Sequence, residues 1–235
     1  MIQEINHIGV KSYDMDASLH LYVDLLGGEI IRNAGSLDGK FRYVYVQLGA
    51  GVIELITSLD KSDQGIAHVA FLLRDKSLDD HYASITAKGY AFTLNPKDSS
   101  SGDGRLAFFN DPAGVSFELI ERTEDIRKPF AGQAITVFDH TVIETGADLE
   151  ACAAFYTGEL GLHGSARDSR FVLGSDSLAL RAGSAPKIAH MAMRAMNPNG
   201  LREALAAAGI ATEDAGPDAG AYWIVSPSTE RILIL

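Results

Sequence analysis

The segment Gly65-Ile66-Ala67-His68-Val69-Ala70-Phe71 returns, at an offset of 122 residues, as Lys187-Ile188-Ala189-His190-Met191-Ala192-Met193, and a chain that repeats itself at that distance is built from two copies of one fold. Other segments pair in the same order along the chain. Asn6-His7-Ile8 pairs with Asp139-His140-Thr141, and Leu21-Tyr22 with Phe155-Tyr156. The run from Phe109-Asn110-Asp111-Pro112 to Phe117-Glu118-Leu119-Ile120 pairs with the run from Ile224-Val225-Ser226-Pro227 to Ile232-Leu233-Ile234-Leu235. The polar stretch from Arg122 to Gln133 is the seam, which predicts domains over residues 1–122 and 134–235.

Each copy is itself double. In the first, hydrophobic period and turn residues predict a strand over Ile5–Lys11 and an amphipathic helix over Asp14–Leu26 stopped by Gly27-Gly28. Strands follow over Glu29–Arg32, Phe41–Leu48 and Val52–Thr57, the last two joined as a hairpin through Gly49-Ala50-Gly51. The order then recurs: strand Ile66–Leu73, helix Ser77–Lys88, and strands Tyr90–Leu94, Arg105–Asn110 and Val115–Glu121. The second copy repeats this, with helices over Ala147–Leu160 and Pro198–Ala208. The predicted class is α+β: two tandem domains, each of paired β-α-β-β-β units forming a curved mixed sheet around a cavity.

Four ligand-type side chains of the first copy sit inside otherwise apolar runs: His7 in Ile5–Val10, Glu54 in Val52–Ile56, His68 in Ile66–Phe71 and Glu118 in Phe117–Ile120. Taken singly, each is most simply a solvated or hydrogen-bonded strand residue. Together they occupy equivalent places on the first and last strands of their units, and burying two carboxylates costs several kcal/mol unless something positive compensates. A divalent cation would do so; two imidazoles and two carboxylates suit zinc, nickel, cobalt, manganese or iron(II).

A formal net charge of −11 argues against nucleic-acid or anionic-membrane partners, which are met by surplus Lys and Arg. With Cys152 alone no intrachain disulfide forms, and no run approaches the roughly 18 apolar residues of a membrane span. The N-terminal residues show no leader pattern, so the expectation is a cytoplasmic protein acting on a small molecule, with homodimer formation left open. Cys152 reads as helix packing, His20, His81 and His163 as solvated surface, and Ser99–Gly104 as a mobile loop rather than a phosphate cradle. Arg32, Arg42, Tyr43 and Tyr45 are rim candidates, but alternation sends Arg42 to the face opposite Tyr43 and Tyr45.

The sequence resembles the vicinal oxygen chelate superfamily of glyoxalases, bleomycin-resistance proteins and extradiol dioxygenases, and the first copy is similar to bacterial glyoxalase I and methylmalonyl-CoA epimerase. The resemblance rests on Ile5-Asn6-His7-Ile8-Gly9-Val10, Leu21-Tyr22 to Gly27, Val52-Ile53-Glu54-Leu55, Gly65 to Phe71, and Asp111-Pro112-Ala113-Gly114 with Phe117-Glu118-Leu119. It implies one divalent metal held by His7, Glu54, His68 and Glu118, a substrate with vicinal oxygens, and Glu118, or else Glu54, as the catalytic base of a lyase or isomerase. An iron(II) ring-cleaving dioxygenase using His7, His68 and Glu118 is the alternative, and a non-catalytic binding or resistance protein a third. The second copy keeps His140 and His190 but aligns Ala179 and Leu233 with the carboxylates, which makes it a degenerate domain. Units exchanged between copies would instead give two mixed triads, His7 with Glu54 and His190, and His68 with Glu118 and His140.

Overall fold

A computed structural model describes residues 2–36, 40–74, 77–99, 102–130, 133–174, 176–216 and 220–235. The first copy runs β1 (Ile2–Ser12), α1 (Met15–Leu19) continuing as a π-helical stretch (His20–Leu25), β2 (Glu29–Gly35), β3 (Arg42–Leu48) and β4 (Gly51–Thr57), then β5 (Gly65–Leu73), α2 (Leu78–Ala87), β6 (Phe92–Asp98), β7 (Gly104–Asn110) and β8 (Ser116–Arg122). The second runs β9 (Ile135–Glu144), α3 (Leu149–Gly158), β10 (His163–Ser165), β11 (Arg170–Leu173) and β12 (Asp176–Arg181), then β13 (Lys187–Ala195), α4 (Pro198–Ala207), β14 (Thr212–Asp214), β15 (Tyr222–Val225) and β16 (Arg231–Ile234). Each copy forms one eight-stranded mixed sheet, in the orders β2-β3-β4-β1-β5-β8-β7-β6 and β10-β11-β12-β9-β13-β16-β15-β14. The class is α+β, with two β-α-β-β-β units per sheet. Among the described residues no helix is long and apolar enough to cross a membrane.

In every unit the strand before the helix pairs in parallel with the last strand, as β1 does with β4 and β5 with β8. Hairpins supply the rest. The β3–β4 turn is as read from Gly49-Ala50-Gly51: Gly49 has φ 59°, and a Cβ there would collide with the carbonyl oxygen of Thr136.

Three local expectations are corrected. The first helix widens after Leu19 into π geometry, with Leu26 N–H donating to Leu21 C=O at 2.9 Å. The wider turn brings Leu26, not Leu25, to the buried side with Leu21 and Tyr22. Strand β6 begins at Phe92 rather than Tyr90 and runs through Pro96, which a sheet edge tolerates with the register shifts seen against β7. His81 is buried, not solvated, because it shares a face of α2 with Leu78 and Ile85. His20 and His163 are exposed, and Cys152 is buried, its thiol pushed up to about 12 chiefly by burial. Ser100 and Ser101, within the expected 99–104 loop, lie outside the described residues.

Contacts gather the chain into two compact units, each joining half of one copy to half of the other. One unit comprises the residues up to His7, His68–Asp125 and Thr141–Ile188. Its core is aromatic: Phe71 stacks on Phe117 at 5.2 Å between ring centres, Tyr156 meets Phe117 edge-on at 5.6 Å, and Phe155 meets Phe109 at 5.9 Å. The Tyr156 hydroxyl donates to Asp111 Oδ2 at 2.8 Å, while Asp111 Oδ1 accepts the N–H groups of Ala113 and Val115. The other unit comprises Ile8–Ala67, Ile126–His140 and Ala189–Leu235. Here Tyr22, the repeat partner of Tyr156, donates its buried hydroxyl to Glu230 Oε1 at 2.5 Å. Ser226 stands at the repeat position of Asp111, so Glu230 has taken over the acceptor role from four residues further on.

Two outcomes follow from these paired locks. Tyr156→Phe leaves a buried carboxylate oxygen without its donor and is expected to lower the unfolding free energy by about 1–3 kcal/mol, read from urea midpoints. Burial pushes the Glu230 carboxyl above its ordinary range, against the opposing bonds from Ser226 and Tyr22. Its folded form therefore holds a proton more tightly than the unfolded chain, so this stability is complete below the unfolded pKa and is lost as pH rises through the folded one. Relative to Glu230→Gln, the wild type is expected to lose stability between about pH 5 and about pH 8; parallel urea curves for the two proteins at both pH values would sink the assignment.

Candidate metal centre

Strand alternation decides which side chains meet. On β5 and β8 the parallel register sets Ala70 opposite Glu118, and His68, two residues before Ala70, projects to the same face. His7 arrives from β1. In the unit that contains all three, His7 Nε2 lies 3.2 Å from His68 Nε2, and Glu118 Oε2 lies 3.0 Å from the first and 3.4 Å from the second. The residues are 1%, 5% and 3% exposed, so the convergence takes place away from water. The imidazoles stand edge to face at 5.3 Å, and Phe108 walls His68 at 5.1 Å.

Three atoms with lone pairs facing one another in a dry site repel unless a proton or a cation lies between them. Donor atoms held at ~2.1 Å from a metal, at angles from octahedral to tetrahedral, are roughly 2.9–3.4 Å apart, and all three edges of the triangle fall in that window. Glu118 Oε2 is moreover buried without a hydrogen bond of proper geometry among the described residues. The donor set fits a divalent cation. Burial alone would push the Glu118 carboxyl up, but the attraction of His7, and then of His68, outweighs it and holds the group below its ordinary range.

His7 is supported from behind. Its Nδ1 lies 2.9 Å from Asn6 Oδ1, which also accepts from Arg122 Nε at 3.1 Å, and Arg122 is paired with Asp103. None of Asn6, Arg122 and Asp103 was flagged from the sequence. The only signal was the recurrence of Asn6-His7 as Asp139-His140, where Asp139 Oδ1 likewise meets His140 Nδ1, at 2.7 Å.

Glu54 stands half-buried on β4 in the other unit, opposite Gly9 of β1 and Tyr45 of β3. That register also sorts the rim candidates. Arg32 is opposite Tyr45 and Tyr45 opposite Glu54, so Arg32, Tyr43 and Tyr45 share the Glu54 face, with the Arg32 guanidinium 6.0 Å from the Tyr45 ring centre. Arg42 turns the other way and bonds Asn33 Oδ1.

The second copy reproduces the register without the acids. Gly9 opposite Glu54 becomes Val142 opposite Ala179, and Ala70 opposite Glu118 becomes Ala192 opposite Leu233. His140 and His190 remain close, their ring centres 5.9 Å apart. The exchanged pairing would have parted His7 from His68; their contact at 3.2 Å overturns it.

Comparison with known proteins places these features. Residues 4–119 match the model of the Glyoxalase/Bleomycin resistance protein/Dioxygenase superfamily. A probable lactoylglutathione lyase of Synechocystis is 31% identical over 126 residues, covering 49% of this chain and 92% of the relative. A lactoylglutathione lyase of Arabidopsis thaliana is 25% identical over 162 residues, covering 66% of this chain, which spans only 54% of that protein. Among solved structures, the Mn(II)-bound glyoxalase of Novosphingobium aromaticivorans superposes with a TM-score of 0.78 at 20% identity, over 99% of this chain and 81% of that one. The 2,3-dioxygenase LapB of Pseudomonas sp. KL28 superposes at 0.71 and 16% identity, over 100% and 93%. At such identities the structural likeness speaks for the fold. The relative at 31% identity, covered over 92% of its length, carries the lineage: the chain belongs to the glyoxalase/bleomycin resistance protein/dioxygenase superfamily.

Proposed function

We propose that the protein is a metal-dependent lyase or isomerase of the glyoxalase type, acting on a small molecule with vicinal oxygens. The observation that carries this reading is the buried triangle of His7, His68 and Glu118, whose edges suit one divalent cation. The lactoylglutathione lyase names of the sequence relatives support it. A cation held there supplies Lewis acidity toward a carbonyl oxygen. The protein residues do the remainder. His7 Nε2, His68 Nε2 and Glu118 Oε2 would hold the cation, and the Glu118 carboxylate, once released from it, accepts the proton of the adjacent C–H and returns it one carbon along. Phe108, edge-on to His68, keeps that site dry.

Glu54 is the fourth ligand and second acid in this proposal. The repeat supports it: Glu54 on β4 and Glu118 on β8 each stand on the last strand of their β-α-β-β-β unit. A ring-cleaving dioxygenase is the second reading, favoured by the fold likeness to the 2,3-dioxygenase. It needs His7, His68 and Glu118 as ligands and Glu54 off the metal.

Metal analysis of untagged protein is expected to give one divalent ion per chain, lost from Glu118→Gln and retained by Leu233→Gln; two ions per chain would sink the one-site reading. With nickel, cobalt, zinc or iron(II) restored, turnover of methylglyoxal hemithioacetal and not of a catechol is expected, falling by about 10²-fold or more in Glu118→Gln. Glu54→Gln is expected to weaken metal binding by about 10-fold or more. Unchanged affinity in that variant together with catechol cleavage would transfer the assignment to the dioxygenase.

A further inference from the structure

We infer that Arg122 is a positioning residue which, through Asn6, fixes the tautomer of His7 and so aims the His7 Nε2 lone pair at Glu118 and His68. The argument runs on donor and acceptor inventory. A guanidinium has no acceptor, so the Asn6 amide atom lying 3.1 Å from Arg122 Nε must be the oxygen. That same oxygen lies 2.9 Å from His7 Nδ1, and an oxygen acceptor there requires a proton on Nδ1. In the neutral ring Nε2 is then the bare nitrogen.

The amide has a reason to turn over if Arg122 is removed. As it stands, Asn6 Nδ2 is buried and bonded to nothing among the described residues, an arrangement that costs about 1–3 kcal/mol. Turning the amide would present Nδ2 to His7 Nδ1, strip Nδ1 of its acceptor and move the ring proton to Nε2. Arg122, whose side chain is 2% exposed and anchored by Asp103, forbids this by setting donor against donor. At the equivalent place in the second copy, Asp139 meets His140 Nδ1 at 2.7 Å, and the fold accepts a carboxylate there. A carboxylate cannot present a donor, so it holds the Nδ1–H tautomer by its own chemistry, and Arg194, which bonds the other oxygen of Asp139 at 2.8 Å, is not what fixes it.

The tautomer claim stands apart from the metal reading; only its effect on metal affinity rests on it. The test is long-range 1H–15N correlation on the full chain without metal, at a pH where the ring is neutral. Wild type is expected to show His7 protonated at Nδ1, and Nε2–H in the wild type would overturn the inference without any variant. In Arg122→Met combined with Asp103→Asn, which avoids orphaning a buried carboxylate, the proton is expected on Nε2, and cobalt(II) affinity by equilibrium dialysis is expected to fall about 10–100-fold. Adding Asn6→Asp is expected to return the proton to Nδ1 and most of the affinity. A tautomer unmoved by loss of Arg122, or a defect that Asn6→Asp leaves in place, would reduce Arg122 to packing. The expected tautomer shifts in a wild type that binds no cobalt would support this inference and count against the metal reading alone.

Discussion

Two imidazole nitrogens and a carboxylate oxygen within 3.4 Å of one another, in a site shut off from water, form an arrangement a protein interior does not reach by default. Each atom alone would rather face solvent. What holds them is backbone: the parallel pairing of β5 with β8 leaves the His68 and Glu118 side chains no freedom of face, and the hydrogen-bonded ladders do not slip, because a slip of one residue would exchange apolar and polar faces along the whole strand. The energetic strain of the ligand triangle is thus carried by sheet register and by the aromatic packing of Phe71, Phe109 and Phe117 on the opposite face.

The duplication separates what the fold needs from what the chemistry needs. Ala179 and Leu233 occupy the same register positions as Glu54 and Glu118, and the second sheet keeps the same strand order without them. Acids at those positions are therefore not required to build the sheet. The histidines behave differently. His140 retains a carboxylate partner at Nδ1, and His190 packs edge-on to Trp223 at 4.7 Å, so both have local structural employment once the acids are gone.

Much of this could be read from the order of residues. Period-two alternation around His7, Glu54, His68 and Glu118 and the Gly49-Ala50-Gly51 turn specify strands, faces and one hairpin, and the repeat fixes the topology twice over. What escaped depends on distant parts of the chain. Arg122 lies 116 residues from Asn6, so its role is invisible until β8 is laid in the sheet. The π-helical turn at His20–Leu25 answers the need to bury Leu26, and α2 buries His81 by a helical spacing whose apolar members, Leu78 and Ile85, say nothing about a histidine between them. The bonds of Tyr156 to Asp111 and Tyr22 to Glu230, each joining one copy to the other, follow from no local pattern at all.

Those two bonds bear on where chemistry can reside. In each compact unit a tyrosine on the first helix of one copy closes on an acid near the last hairpin of the other, so neither copy completes its own interior. Tyr156 and Phe155 of the second copy are matched to Asp111 and Phe109 of the first, although the second carries Ala179 and Leu233 at the acid positions. The second copy supplies α3 to the same unit that contains His7, His68 and Glu118, and Tyr156 of α3 packs on Phe117, on the reverse face of the strand that presents Glu118. A site whose donor atoms must be held to a few tenths of an ångström depends on that backing, which is a physical reason for a second domain without acids to persist beside the first.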